Sequence, residues 1–335
     1  MPTLSIFSDM STGPHWMLNQ CERYEPQRDP LVAYEGDWRV ISGQRDADVV
    51  LCVNMPVWPK GIGLMPWWRR LLTRATGRYY QVKVRQAMAW LNVPRNRTYL
   101  LMYEPPPFAE YYRTRVGDHV AGAWAPDPRW VGKNQGVDRL PVWWTIADRT
   151  EALRAEPTPD DDAQRDLGLV VVTGGKSALP GHVARLDFLR LLRRAGVPIA
   201  IYGRGVPDDL GSLGPVTDKA EVLRRARFTL AIENFAQGDL YVSEKLWDPL
   251  LCWSMPIYFG SAAADAMIPA DSFVRLPDLG DAGVEVVRRT LAEPALRNVS
   301  LSAIARARQQ ILGEARLVPW FLRRSGVAGP GKAVG

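Results

Sequence analysis

Side chains able to do chemistry crowd one window, Phe228 to Phe273, which reads FTLAIENFAQGDLYVSEKLWDPLLCWSMPIYFGSAAADAMIPADSF. A buried strand over Phe228–Ile232 would deliver Glu233 and Asn234 at its carboxyl end, where open parallel sheets bind ligands. A polar, glycine-containing loop follows, and then Tyr241-Val242-Ser243-Glu244-Lys245 opens an amphipathic helix. Ser243 suits the N-cap, which puts Glu244 and Lys245 in the first turn. The helix dipole favours a glutamate there and disfavours a lysine, by a few tenths to about 1 kcal/mol unless an anion shares the site. A diphosphate would reverse that sign. On pattern alone, a solvated Lys245 on an ordinary capped helix is an equal alternative.

The elements that must position these residues follow from the apolar pattern. Strand-like runs fall at Leu169–Thr173, Pro198–Gly203, Phe228–Glu233, Pro256–Gly260 and Ser272–Leu276. Helical patterns lie at His182–Arg194, Asp218–Arg225, Ser243–Cys252 and Val284–Leu291, with a last helix over Leu296–Leu312. Such alternation of helices with continuously apolar strands predicts a parallel sheet covered on both faces. The first half is less regular. It shows strand-like runs at Leu4–Phe7, Val49–Val53 and Tyr99–Tyr103, and helical spacing at Trp67–Thr73, Tyr79–Leu91 and Phe108–Arg113. Residues 151–166 are polar, acidic and contain proline, a linker composition. The expected organisation is a domain over 1–150, a linker over 151–166, a domain over 167–313 and a basic tail over 314–335.

Composition bounds the function. Of 335 residues, 47% are hydrophobic and 23% charged, so disordered, collagen-like and disulfide-dense readings fall away. Three cysteines, Cys21, Cys52 and Cys252, read as reduced thiols, and the three scattered histidines form no zinc cluster. Seven lysines and 35 arginines give a formal net charge of +6, which suits phosphate-bearing partners without choosing among them. The 13 tryptophans read as core filler. Asp46-Ala47-Asp48 leads into a strand and Asp160–Asp162 sits in the linker, so neither reads as a metal site. The start lacks a basic n-region and no stretch approaches a membrane span, so the expected location is cytoplasmic.

The window resembles the donor-binding motif of the α-1,3-fucosyltransferases, glycosyltransferase family 10. The elements that carry the resemblance are Ile232-Glu233-Asn234, Tyr241-Val242-Ser243-Glu244-Lys245-Leu246, Pro256-Ile257-Tyr258-Phe259-Gly260 and Pro269-Ala270-Asp271-Ser272-Phe273. Ile232 stands for the usual Phe and Ser243 for the usual Thr. Weaker matches are Val170–Gly175, which lacks the family's Ser-Asn ending, Ile201-Tyr202-Gly203-Arg204, and Leu100–Pro107 with its Glu104-Pro105-Pro106-Pro107. The resemblance implies an α/β fold of the GT-B type, two Rossmann-like domains facing across a cleft, with GDP-β-L-fucose as donor and no required cofactor or metal. By motif position Glu104 would be the general base, and Arg185 and Lys245 would bind the diphosphate. Asn234, Tyr241 and Glu244 would contact nucleotide or sugar, with Tyr202, Arg204, Glu233 and Ser243 as further donor-side residues. The implied reaction is inverting transfer to a hydroxyl of a GlcNAc-containing acceptor, an oligosaccharide or a lipid-linked glycan, giving an α-linked, α-1,3 product.

Bland readings compete at each position. Arg185 shares its helix with Arg190, Arg193 and Arg194, as a solvated basic face would. Two rival functions remain: a related transferase using another nucleotide sugar, and an Arg-rich nucleic-acid-binding protein. The second is disfavoured by dispersed basic residues and by the lack of an RNA-recognition signature. The tail, with Ala315–Arg324 as ARLVPWFLRR, is expected to pack across the two domains, the lesser alternative being an anionic inner-membrane face.

Overall fold

A computed structural model describes residues 1–8, 15–27, 31–54, 89, 92, 94–103, 116–130, 132–156, 164–177, 179–238 and 240–327. The helical spacings at 67–73, 79–91 and 108–113, and Glu104 itself, lie outside the described residues apart from position 89, which is helical. The chain forms two units, one of residues 1–141 with 317–335 and one of residues 142–316.

The first unit is built on an eight-stranded sheet. Its strands are β1 (Thr3–Ser8), β2 (Arg23–Glu25), β3 (Val32–Glu35), β4 (Trp38–Ser42), β5 (Val49–Val53), β6 (Thr98–Leu101), β7 (Gly122–Ala125) and β8 (Gln135–Val137), in the order β2-β3-β4-β1-β5-β6-β7-β8. From β4 to β8 every pairing is parallel, while β2–β3 and β3–β4 are antiparallel. All five residues of β5 are buried, as a strand covered on both faces requires. At its end Asn54 adopts a left-handed φ of 61°, and its Oδ1 accepts the backbone N–H of Tyr103 at 2.6 Å. That bond fixes the chain immediately before Glu104.

The second unit carries a wholly parallel sheet of β9 (Leu167–Val172), β10 (Ala200–Tyr202), β11 (Ala226–Ile232), β12 (Met255–Phe259) and β13 (Val274–Arg275), ordered β10-β9-β11-β12-β13. Every strand expected in this half is present. Its helices are α1 (Thr150–Ala155), α2 (Pro180–Arg194), α3 (Lys219–Leu223), α4 (Glu244–Leu251), α5 (Ala263–Met267), α6 (Asp281–Ala292), α7 (Leu296–Val299) and α8 (Leu301–Ile311). One core runs through this unit, from Val142 and Leu153 to Ile311, with Phe188, Phe228 and Trp247 among its fully buried members.

Three local expectations differ from the structure. The chain divides between Pro141 and Val142 rather than at 150, and the polar 151–166 segment begins as helix α1 with Leu153 buried. Among its described residues, not every charge is solvated as a linker's would be. Glu156 pairs with Arg308 at 2.9 Å and Arg224 at 3.1 Å, and buried Arg165 donates to the carbonyls of Ala226 at 2.6 Å and Cys252 at 3.1 Å. The single helix expected over 296–312 is two, α7 and α8, joined at Ser300, where fully buried Arg297 donates through Nε to the Trp253 carbonyl at 2.9 Å. The tail forms α9 (Leu317–Ser325) within the first unit. Phe321 meets Tyr99 edge-on at 5.1 Å, Trp320 meets Trp124 at 5.7 Å, and Arg324 pairs with Asp138 at 2.8 Å.

Candidate functional site

The site grows from the carboxyl end of β11. Glu233 prolongs that strand, its N–H donating to the Phe259 carbonyl at 2.9 Å, and leaves the residue only 1% exposed. A carboxylate taken from water must be hydrogen-bonded or paired. Glu233 accepts the Ser243 N–H at 2.7 Å and the Ser243 hydroxyl at 2.6 Å, and faces Lys245 Nζ at 3.5 Å. Burial raises its pKa and Lys245 opposes that rise. Glu233 therefore works as a strut that fastens the start of α4 to the sheet. Ser243 is the N-cap of α4, its Oγ accepting the Lys245 N–H at 3.4 Å. Lys245 and Glu244 fall in the first turn as the capping pattern predicts, with their charged ends 3.3 Å apart.

The start of α2 is held against the same strand end. An alanine Cβ at Gly181 would stand 2.0 Å from the Asn234 carbonyl oxygen, so only glycine allows this approach. One turn later Arg185 donates through Nη1 to Asn234 Oδ1 and through Nη2 to the Gly174 carbonyl at 3.3 Å. The residue is 5% exposed, and its Nε has no protein partner among the described residues. Burial lowers the Arg185 pKa while Glu233 and Glu244 counter it, and the guanidinium stays charged. Unlike a solvated basic face, Arg185 points inward. Arg190 does follow the bland reading, pairing with Asp187 at 2.9 Å and Asp209 at 2.5 Å on the surface.

Sequence reasoning missed a third part. Lys219, the first residue of α3, donates to Thr145 Oγ1 at 2.8 Å and to Asp248 Oδ2 at 3.1 Å, and lies 4.0 Å from Glu244. Asp248 is buried and also accepts from Thr145 N at 2.8 Å and Oγ1 at 2.6 Å. Burial raises the Asp248 pKa, against the pull of Lys219. Burial would raise Glu244 too, but Lys245 and Lys219 together bring it down to about 2. The available signal was the spacing of Glu244 and Asp248, four residues apart and hence on one face of α4.

These parts surround a cavity of about 280 Å³ at the ends of β9 and β11. Its charged lining is Lys176, Arg185, Lys219 and Lys245 against Glu244 and Asp248, with His182 and Asn234 beside them. Of the residues nominated from sequence, Arg185, Asn234, Glu244 and Lys245 meet here. Glu233 and Ser243 stand directly behind them. Tyr241 is buried with its ring edge-on to Phe235 at 6.5 Å and does not line the cavity. Tyr202 and Arg204 lie outside it. Their carbonyls accept from Thr173 N at 2.8 Å and Gly175 N at 3.1 Å, and Arg204 is exposed. An inward guanidinium and two ammonium groups over a helix N-terminus are equipped to take an anion with oxygens to spare, such as a diphosphate.

Residues 170–284 match the family described as glycosyltransferase family 10 (fucosyltransferase), C-terminal part. An Arabidopsis thaliana putative fucosyltransferase-like protein is 34% identical over 122 residues, which cover 35% of this chain and 22% of that protein. The human 4-galactosyl-N-acetylglucosaminide 3-alpha-L-fucosyltransferase FUT6 is 31% identical over 99 residues, 28% of this chain and 25% of that protein. The matched region thus spans about a quarter or less of the length of these relatives. In three dimensions the chain is similar to Anabaena Alr3699/HepE in complex with UDP, with a TM-score of 0.52 at 10% identity over 97% of this chain and 98% of that one. That likeness shows the GT-B glycosyltransferase fold. The motif residues gathered at this cavity lie inside the segment that matches glycosyltransferase family 10.

Proposed function

We propose that this chain transfers L-fucose from GDP-β-L-fucose to a hydroxyl of a GlcNAc-containing acceptor by a single inverting displacement, giving an α-1,3 linkage. The observation that carries the reading is the cationic cavity. Arg185 and Lys245 face the same space and stabilise the charge that builds on a departing diphosphate. They and Lys219 supply the positive charge that a divalent ion would otherwise bring, so the reaction needs no metal or other cofactor. Glu104 is the base that accepts the proton of the acceptor hydroxyl; its neighbour Tyr103 is anchored by Asn54. Asn234 and Glu244 contact the nucleotide or sugar, with Tyr241, Tyr202 and Arg204 at the margin. On this reading the first unit is the acceptor side and the second the donor side. The linkage and the acceptor follow the activity for which the human relative is named.

A transferase for another nucleotide sugar is the nearest alternative, because no side chain in the cavity discriminates a fucosyl group by itself. Nucleic acid is disfavoured because arginines are spent within the chain: Arg224 on Asp148 and Glu156, Arg225 on Asp166, Arg275 on Asp265. Among the described residues no helix is long and apolar enough to cross a membrane. The apolar side chains of α9 that a membrane face would need, Leu317, Val318 and Phe321, are already buried in protein, which favours packing over peripheral attachment. A reducing, cytoplasmic setting suits the buried free thiols of Cys52 and Cys252.

The test is a thermal-shift series with GDP, UDP and CDP, followed by assignment of the product's anomeric configuration by NMR in excess EDTA. Ligand at about 100 times its Kd stabilises by about 2.7 kcal/mol, so GDP alone should raise the melting temperature. A larger shift with UDP transfers the site to the alternative sugar. A β-linked product overturns the single displacement, and loss of turnover in EDTA overturns the metal-free reaction.

A further inference from the structure

His182, the third residue of α2, lines the same cavity and belongs to no motif that led to it. The residue is 5% exposed. Its Nδ1 accepts the backbone N–H of Leu179 at 3.3 Å, so that nitrogen carries no proton. The tautomer is thereby fixed, because the hydrogen bond at one ring nitrogen decides the state of the other. The proton sits on Nε2, and that atom has no protein partner among the described residues.

The surroundings hold the ring in this state. Burial disfavours the imidazolium first, and the nearby charges of Arg185 on α2, Lys176 ahead of it and Lys245 on α4 disfavour it further. The two carboxylates in that cavity on α4 are engaged, Glu244 with Lys245 and Lys219 and Asp248 with Lys219 and Thr145. A helix N-terminus adds to the penalty on a positive ring. A second proton would also need Nδ1, which faces the Leu179 N–H. His182 is thus a fixed, uncharged donor in a site whose other donors are cations.

We propose that His182 donates a hydrogen bond from Nε2–H, as the neutral imidazole, to a phosphate oxygen of the nucleotide sugar. This rests on the nucleotide-sugar reading of the cavity. An uncharged donor adds a directed contact without adding to the repulsion among Lys176, Arg185 and Lys245. It also makes binding indifferent to pH across the range in which an ordinary histidine titrates.

The experiment is calorimetry of GDP-fucose binding to wild type, His182→Leu and His182→Gln from pH 5.5 to 8, in two buffers of different ionisation enthalpy, with ¹⁵N NMR of the imidazoles in the wild type. The diphosphate of GDP-fucose does not titrate in this range, so it leaves the profile to the protein. A hydrogen bond to a charged group is worth about a ten- to hundredfold change in affinity, so His182→Leu should bind that much more weakly. His182→Gln keeps a donor nitrogen near the Nε2 position and should stay within a few-fold of wild type. Wild-type affinity should be flat with pH and its enthalpy independent of buffer. If His182→Leu does not fold, the wild-type spectrum decides: Nε2 protonated and Nδ1 bare, free and bound, supports the inference. Wild-type affinity retained in a folded His182→Leu overturns it. So does an imidazolium in the bound state, whose formation would change affinity about tenfold per pH unit above its own pKa. A wild type that binds UDP-sugars but not GDP-fucose, with His182→Leu weakened equally, leaves His182 as the phosphate donor and removes only the guanosine assignment. A wild type that binds no nucleotide sugar removes the inference together with the reading beneath it.

Discussion

Replacing Gly181 with alanine places a methyl carbon 2.0 Å from the Asn234 carbonyl oxygen and 2.7 Å from its carbonyl carbon. Carbon–oxygen contacts settle at about 3.3 Å or more, so the start of α2 and the 234 backbone must part by about 1.3 Å. Both sides of this contact are backbone, and no side chain can swing aside to absorb the overlap. The Arg185 guanidinium holds Asn234 Oδ1 from one side and the Gly174 carbonyl from the other, at 3.3 Å. A separation of that size breaks at least one of these bonds and moves Arg185 and His182 relative to Lys245. Overpacking of this kind costs about 1–3 kcal/mol, and a shift of about 1 Å at a binding site costs about a hundredfold in function. The prediction is a melting temperature lower by about 2–12 °C and nucleotide affinity reduced by one to two orders of magnitude, read by calorimetry and thermal unfolding. Gly168→Ala is the control. That glycine lies in β9 with open space where the methyl would go, so alanine should be neutral or stabilise by up to about 1 kcal/mol. If Gly181→Ala matches wild type in both measurements, α2 is not held to the site by that contact and the packing argument is wrong.

Three further outcomes are expected. Glu104→Gln should lower turnover about 10²–10⁴-fold while GDP affinity stays near wild type; more than about a tenth of wild-type turnover at saturating substrate would remove Glu104 as the base. Lys245→Ala and Arg185→Ala should each weaken GDP binding in calorimetry, and equal affinity in all three proteins would sink the phosphate assignment. Glu244 has a folded-state pKa depressed to about 2, so its contribution to stability is present above its ordinary pKa near 4.5 and is lost as pH falls toward 2. Glu244→Gln should therefore flatten the acid limb of the stability curve between about pH 4.5 and 2 in denaturant titrations, and an unchanged acid limb would show that Lys245 and Lys219 do not hold that carboxylate charged.

The second unit was readable wherever burial on both faces turns a strand into an unbroken apolar run, as in β9, β11 and β12. The first unit was unreadable where a strand is three half-exposed residues at an edge, as in β8, or where pairing alone defines it, as in β2 and β7. The 151–166 segment misled for a different reason. Glu156 meets Arg308 at a separation of 152 residues, and composition cannot pair charges so far apart. At the site, Ser243, Glu244 and Lys245 were legible because a helix start imposes its own residue order. His182 and Lys219 were not. Each is an ordinary helix residue by sequence and gains its chemistry only from the partners that the fold supplies, Leu179 N–H for one and Thr145 with Asp248 for the other.

The return of α9 to the first unit has a consequence for how the polypeptide is made. Residues 142–316 are contiguous, so the whole of their sheet and core is available once that stretch has left the ribosome. The first unit is begun earlier and completed last. Its Tyr99 and Trp124 rings wait for Phe321 and Trp320, and Asp138 waits for Arg324. During most of synthesis the aromatic face that α9 covers stands open to solvent and to chaperones. A stop codon between 142 and 317 would leave it permanently uncapped, turning a truncation outside the first unit's sheet into an aggregation hazard within it.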